Sequence, residues 1–350
     1  MKLFEVIEAL VEERGLDKEV LTGIVCDGML AAFQKRYPEA LLSVRFDKKS
    51  GEVVVEVEKE VVAVVTDENT QINLRKARSL FKDAELGEKV KIAFEGVIGR
   101  IEILRAKQVI AQKIKEIEAS EIYNAFKDKE GSILQGVVHK VEQNGVLVKI
   151  HDYLAFLPRS LNIPGEKCSV GFPIRALLKE VLEIPRSENQ LILDRASAAF
   201  VEKLFFIEIP EVYEKLVEIK KIVRIAGYKT KVAVTSNDSN IDPVGTCVGV
   251  GGVRIKPILK ELGIEKIDII FWTDSEEALV KNALKPAQVN RVEVSDDGKS
   301  ALVWLDDDQR SLAIGKMGQN ITLASQLTGM QIELVQSTTE DLDKKLSAEF

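Results

Sequence analysis

The chain has 350 residues, 45% of them hydrophobic and 30% charged, with a formal net charge of −7, an ordinary globular composition with room for about two to four small domains. No apolar run reaches the roughly 18 residues that would cross a membrane, and no basic start with an apolar core and small-residue cleavage site opens the chain, so a soluble cytoplasmic protein is expected. Three widely spaced cysteines, Cys26, Cys168 and Cys247, and two histidines, His139 and His151, exclude a disulfide framework and a His- or Cys-rich metal cluster, and the thiols are expected to be buried and reduced.

In chain order, residues 2–14 and 17–36 carry apolar residues at helical spacing, with Asp17 as a cap. Leu41–Val65 then reads as strands around a turn at "DKKSGE". From Lys107, "KQVIAQKIKEIEASEIYNAFKDKEG" is a long helical pattern whose apolar stripe includes Ile110, Ile114, Ile117 and Phe126, and Gly131 ends it. The whole start is α+β, with the helix as a rigid connector. Arg100 and Lys107, before and on that helix, are candidates for contact with a partner, against the plainer role of a solvated face.

After Gly131 the pattern changes to short alternating strands, "ILQGVVHKVEQNGVLVKI", "YLAFLPRS", "GFPIRALLKEVLEI" and "NQLILDRAS", with "QNG" as a hairpin signal. Five short strands in about 70 residues predict a small barrel. Tyr153, Phe156 and Arg159 are its candidates for base stacking and phosphate contact, unless the two aromatics pack the core or rim. Phe200, Leu204, Phe205 and Phe206 follow as the apolar joint to the next module.

From Phe200 onward, "VEIKKIVRIAG" and "KTKVAVTSND" predict paired strands, Pro243–Val248 and Val253–Leu262 two short helices, and "KIDIIFW" a strand. The design repeats 66 residues on: Gly249, Gly252, Ile255 and Gly263 correspond to Gly315, Gly318, Ile321 and Gly329, so two copies of one domain are expected. Each copy sets Gly-x-x-Gly between two helices. A turn without Cβ atoms lets a nucleic-acid backbone approach, and the amides and dipole at the next helix start favour phosphate; a KH module clamps about four nucleotides this way. Asp306–Asp308 is expected to cap a helix and bind no metal.

Charge fits a polyanion only in the middle of the chain. Residues 1–128 hold 21 basic and 24 acidic side chains, 129–201 hold 9 and 8, 202–272 hold 11 and 10, and 273–350 hold 8 and 14. Residues 1–128 contain no phosphate-loop or His-Glu-x-x-His motif, which disfavours an RNA-processing enzyme. A ribosome-associated or assembly protein with the same RNA surface is the other alternative.

"KVAVTSNDSNIDPVGTCVGVGGVRIKPILKELGIEKIDIIFW" and "LAIGKMGQNITLASQLTG" resemble the two KH domains of the NusA family of bacterial transcription factors, and "AKQVIAQKI" and "FFIEIPEVYEKLVEIKKIVRIAG" are similar to that family's linker helix and barrel-to-KH junction. The resemblance covers nearly the whole chain. It implies a multidomain α+β protein: an N-terminal RNA-polymerase-binding domain with linker helix (1–128), an OB-type five-stranded β-barrel of the ribosomal-protein S1 class (129–199), two tandem type II KH domains (200–275 and 276–338) and an acidic polar tail (339–350) without the family's extra carboxy-terminal repeats. It further implies a monomeric, non-enzymatic factor without cofactors. Such a factor docks on RNA polymerase near the RNA exit channel, holds nascent single-stranded RNA, works beside other elongation and antitermination factors, and modulates pausing, intrinsic termination and antitermination. Carried over residue by residue, Gly249, Val250, Gly251 and Gly252 form one clamp and Gly315, Lys316, Met317 and Gly318 the other, flanked by Arg254, Lys256, Gln319 and Asn320. Gly251 departs from the family, whose loop commonly carries a basic residue there; Arg254 is the nearby candidate to supply that charge.

Overall fold

The computed structural model describes residues 18–47, 52–94, 96, 100–186 and 189–336. The expected helix over 2–14, the Asp17 cap, the centre of the "DKKSGE" turn and the 339–350 tail lie outside the described residues. The chain forms two compact units, residues 1–121 and 122–350.

In the first unit, helix α1 (Lys18–Arg36) precedes strands β1 (Leu41–Asp47) and β2 (Glu52–Val62), an antiparallel pair; β3 (Gln71–Asn73) and β4 (Lys89–Ala93) both join β2, in parallel and antiparallel sense, with the short helix α2 (Leu74–Leu80) between them. Asn73 caps α2 by accepting from Arg75 N at 2.8 Å. The connector helix α3 (Arg100–Phe126) begins seven residues earlier than its apolar stripe suggests, because Ile101, Ile103 and Leu104 are helical but exposed and add nothing to the buried periodicity. Ile110, Ile114 and Ile117 do pack, against Leu21, Ile24 and Val25 of α1.

In the second unit, β5 (Ile133–Glu142), β6 (Gly145–Ile150), β7 (Tyr153–Pro158), β8 (Pro173–Arg186) and β9 (Asn189–Asp194) form a closed barrel in the order β5-β6-β7-β9-β8, sealed by β5 on β8. Alternating Val138, Val146, Val148, Leu157, Leu178 and Leu191 fill it, and Phe126 packs into the same cluster.

Two similar α/β modules follow. The first is α4 (Ala198–Glu208), α5 (Pro210–Tyr213), β10 (Val217–Ile225), β11 (Lys229–Ser236), α6 (Pro243–Val248), α7 (Ile255–Leu262) and β12 (Lys266–Phe271); the second is α8 (Glu276–Ala283), β13 (Arg291–Val294), β14 (Ser300–Leu305), α9 (Asp307–Ile314), α10 (Gln319–Thr328) and β15 (Gln331–Gln336). In each, the first two strands are antiparallel and the second and third parallel. Ser197 starts α4 by accepting from Phe200 N, and Asp242 starts α6 with bonds from Val244 N and Gly245 N, both 3.1 Å, ahead of a proline at the first helical position.

The modules of this unit share cores. Phe200, Leu204 and Phe205 are fully buried in one cluster with Leu177 of the barrel and Val232, Cys247 and Ile258 of the first α/β module, each phenylalanine contributing about 2–3 kcal/mol. Phe206, expected in the same joint, instead stays 37% exposed, edge-on to Tyr213. Val223, Ala233 and Ile270 join the core of the second module. Of the thiols expected to be buried, only Cys247 is; Cys26 and Cys168 are half-buried.

Candidate nucleic-acid interface

The two Gly-x-x-Gly turns have nearly the same backbone. In the first, α6 gives way to Gly249 at φ 73°, then Gly251 at 62° and Gly252 at 76°; in the second, α9 gives way to Gly315 at 71°, then Met317 at 56° and Gly318 at 74°. The first glycine of each turn is required by fit as well as by φ. A Cβ on Gly249 would lie 3.2 Å from Arg254 N, and one on Gly315 would lie 3.1 Å from Asn320 N and 2.7 Å from its Cβ. Gly251 has no such neighbour within 4 Å.

The tips of both turns face solvent. Val250 is 96% exposed and Met317 85%, which leaves an apolar contact for whatever lies along the loop; Lys256 and Lys316 are exposed beside them. Gln319, at the start of α10, holds its Oε1 buried without a hydrogen-bond partner among the described residues.

Two flanking residues point elsewhere than the sequence suggests. Arg254 is half-buried: it pairs with Glu211 (Nη2 to Oε1, 2.6 Å) and donates to Thr246 O at 2.8 Å, so its charge braces α5 against the clamp and does not replace a basic residue at Gly251. Asn320 is buried, its Nδ2 donating to Leu284 O, Leu312 O and Ala313 O, each at 3.2 Å, while Oδ1 accepts from Lys229 Nζ at 3.1 Å. Helical spacing places it next to the clamp, but its amide ties the two modules together. Asp306 occupies the N-cap of α9, yet its carboxylate accepts from Asn290 Nδ2 at 2.9 Å and not from a helix amide.

On the barrel, Tyr153 is at the rim, 36% exposed, and meets Phe126 edge to face at 5.2 Å. Phe156 is half-buried over Gly145, where a Cβ would come within 2.9 Å of its ring, and Arg159 is exposed. Tyr153 and Arg159 are thus solvent-exposed, whereas Phe156 mainly packs. In the first unit Arg100 and Lys107 are both exposed on α3.

What residue-by-residue inspection misses is the charge network that fixes the modules. Arg195, 1% exposed, pairs with Glu166 and Glu261 and donates to the carbonyls of Arg175 and Glu261. Arg175 adds bonds to Glu261 at 2.9 Å and Glu208 at 2.8 Å. Burial alone would raise the Glu261 carboxyl, but Arg195 and Arg175 outweigh it and hold it below the usual carboxylate range. Arg224 spans Glu265 and the carbonyls of Arg195 and Ser197. Within the first α/β module, Asp268 accepts from Lys229 at 2.7 Å and from fully buried Lys231 at 2.8 Å, and Lys231 Nζ also donates to Lys285 O of the second module at 3.2 Å. The lysines in "KTKVAV" were a sequence signal, since Lys229 and Lys231 alternate in register on one face of an otherwise apolar strand. Arg195 carried no such mark.

Models of three domain families match the chain: the NusA N-terminal domain over residues 2–120, the NusA-like first KH domain over 195–272 and the NusA-like second KH domain over 276–341. Among curated relatives it is similar to three proteins named transcription termination/antitermination protein NusA. That of Thermus thermophilus is 37% identical, covering 98% of this chain and 92% of the relative. That of Rickettsia conorii is 33% identical, covering 100% and 70%, and that of Bacillus subtilis is 33% identical, covering 96% and 91%.

Proposed function

This chain belongs to the NusA family, and on that premise we propose that it is a transcription factor that docks on RNA polymerase and grips nascent single-stranded RNA to modulate pausing, intrinsic termination and antitermination. The observation that carries this reading is the pair of Gly-x-x-Gly turns with matching φ values, each closing onto a helix start and each within a matched KH domain. An RNA backbone lies against each glycine turn, its phosphates near the following helix and near Lys256 or Lys316, and its sugars or bases against Val250 and Met317. The factor works by binding and positioning, without a catalytic step.

The helix–strand–strand–helix–turn–helix–strand order supports type II KH domains. The five-stranded closed barrel supports an OB-type barrel of the ribosomal-protein S1 class, with Tyr153 and Arg159 extending the RNA surface. The first unit is the polymerase-docking part, and exposed Ile101 and Leu104 beside Arg100 and Lys107 support a protein partner there.

The test is anisotropy of labelled single-stranded RNA with the full chain and with a variant combining Val250→Asp, Gly251→Asp, Lys316→Asp and Met317→Asp, with folding checked by circular dichroism. Loss of binding in the folded variant, followed by loss of its effect on polymerase pausing, is the expected result. Unchanged binding would move the RNA site to the barrel around Tyr153.

A further inference from the structure

Strand β12 is the edge of its sheet, and the segment Lys285–Asn290 of the second KH domain, between α8 and β13, passes beside it. Between them lies a cavity of about 840 Å³ whose charged lining is Lys229, Lys266, Lys281, Lys285 and a single carboxylate, Asp268. That carboxylate is already shared by Lys229 and by Lys231 behind it. Lys266, Lys281 and Lys285 are exposed and have no ion pair among the described residues. Ammonium groups gathered in one cleft repel one another, and in a chain of net charge −7 the local excess of cation stands out. Burial, opposed by Asp268 and reinforced by Lys229, holds the Lys231 ammonium below the ordinary lysine range.

The cleft's position ties it to both clamps. β12 follows directly from α7, the helix that leaves the first clamp. On the other side, Leu284 O accepts from Asn320, in the first turn after the second clamp, and Gln288 N donates to Gln309 Oε1 on α9, the helix that enters it. Each clamp takes about four nucleotides, so an RNA engaged by both must cross the space between them. Ile269, Ala287 and Val289 supply apolar wall, and the cations are all lysines, which contact phosphate as mobile point charges.

We propose that this cleft is a third phosphate-binding subsite, which holds the backbone of single-stranded RNA where it passes from the first KH clamp to the second. The subsite rests on the RNA-binding role of the clamps. It predicts a length dependence: RNA of about 12 nucleotides reaches the cleft, whereas RNA of about four fills one clamp only.

The experiment uses the full chain carrying Lys266→Ala, Lys281→Ala and Lys285→Ala, titrated with both RNA lengths over a series of salt concentrations. Losing three phosphate contacts lowers the salt slope for the longer RNA by about 2 and weakens it about 10- to 100-fold near 0.1 M salt. The short RNA binds as to wild type, and the corresponding triple Lys→Arg variant recovers most of the loss. Thermal unfolding of the alanine variant within experimental scatter of wild type confirms an intact fold. Unchanged affinity for the long RNA, with the four-aspartate clamp variant still defective, overturns the subsite and leaves the clamps standing. An equal loss for both lengths also overturns it, because the lysines then act on the molecule as a whole. If the clamp variant itself retains RNA, the clamp assignment fails and the subsite with it.

Discussion

Gly251→Lys separates backbone tolerance from ligand contact at the first clamp. The second clamp already holds an L-residue, Met317, at φ 56° where Gly251 sits at 62°, and a Cβ on Gly251 meets nothing within 4 Å. The folding cost is therefore the intrinsic penalty of the left-handed region, about 1–2 kcal/mol, seen as a fall in Tm of about 2–8 °C for a unit of this size. That leaves the folded population essentially complete. The new ammonium adds one phosphate contact, making the salt slope for single-stranded RNA steeper by about 0.7 and tightening binding about 5-fold near 0.1 M salt. Anisotropy titrations across salt concentration measure both quantities. Gly249→Ala is the contrasting variant: its Cβ meets Arg254 N at 3.2 Å, so it lowers Tm further and weakens RNA. A folded Gly251→Lys protein whose salt slope equals that of wild type would refute the claim that this loop faces phosphate.

Asn320→Leu orphans buried carbonyls of Leu284, Leu312 and Ala313 and removes the Lys229 bond; a loss of about 1–3 kcal/mol is expected, with faster amide hydrogen exchange at the junction of the two KH domains, and unchanged exchange would show that the amide does not couple them. Cys247 is fully buried, and burial, with Glu211 and Asp242 adding and Arg254 opposing, pushes its thiol up to about 12. Since the folded value exceeds the unfolded one, this thiol's stabilising contribution is complete below the ordinary thiol range and is lost as pH rises towards about 12. Cys247→Ala should accordingly flatten the alkaline limb of the stability curve. Iodoacetamide at neutral pH should label half-buried Cys26 and Cys168 well before Cys247; equal rates would mean that α6 is not packed as described.

The parts legible in the sequence are those where one residue meets a local backbone demand. Glycines at Gly249, Gly252, Gly315 and Gly318 mark left-handed positions, Pro243 marks a helix start, and the hairpin signal at Asn144–Gly145 marks the turn between β5 and β6. Those demands are short-range, so spacing carries them. Arg254 and Asn320 stood at plausible offsets from the glycines, yet offset fixes only the turn of helix and not the partner: one side chain went to Glu211 and the other to three carbonyls. Arg195 pairs with Glu166 and Glu261, 29 and 66 positions away, and a charged side chain with distant partners looks in sequence like any solvated one. These long-range pairs bear directly on binding. A flexible string of domains would lose entropy each time a second module engaged the same RNA, whereas the network through Arg195 and Arg224 fixes the barrel on the first KH module, and the shared core with the bonds from Lys229 to Asn320 and from Lys231 to Lys285 O fixes the second clamp relative to the first. The local signals therefore identify the clamps, and the distant pairs that they do not reveal make two short grips act as one site.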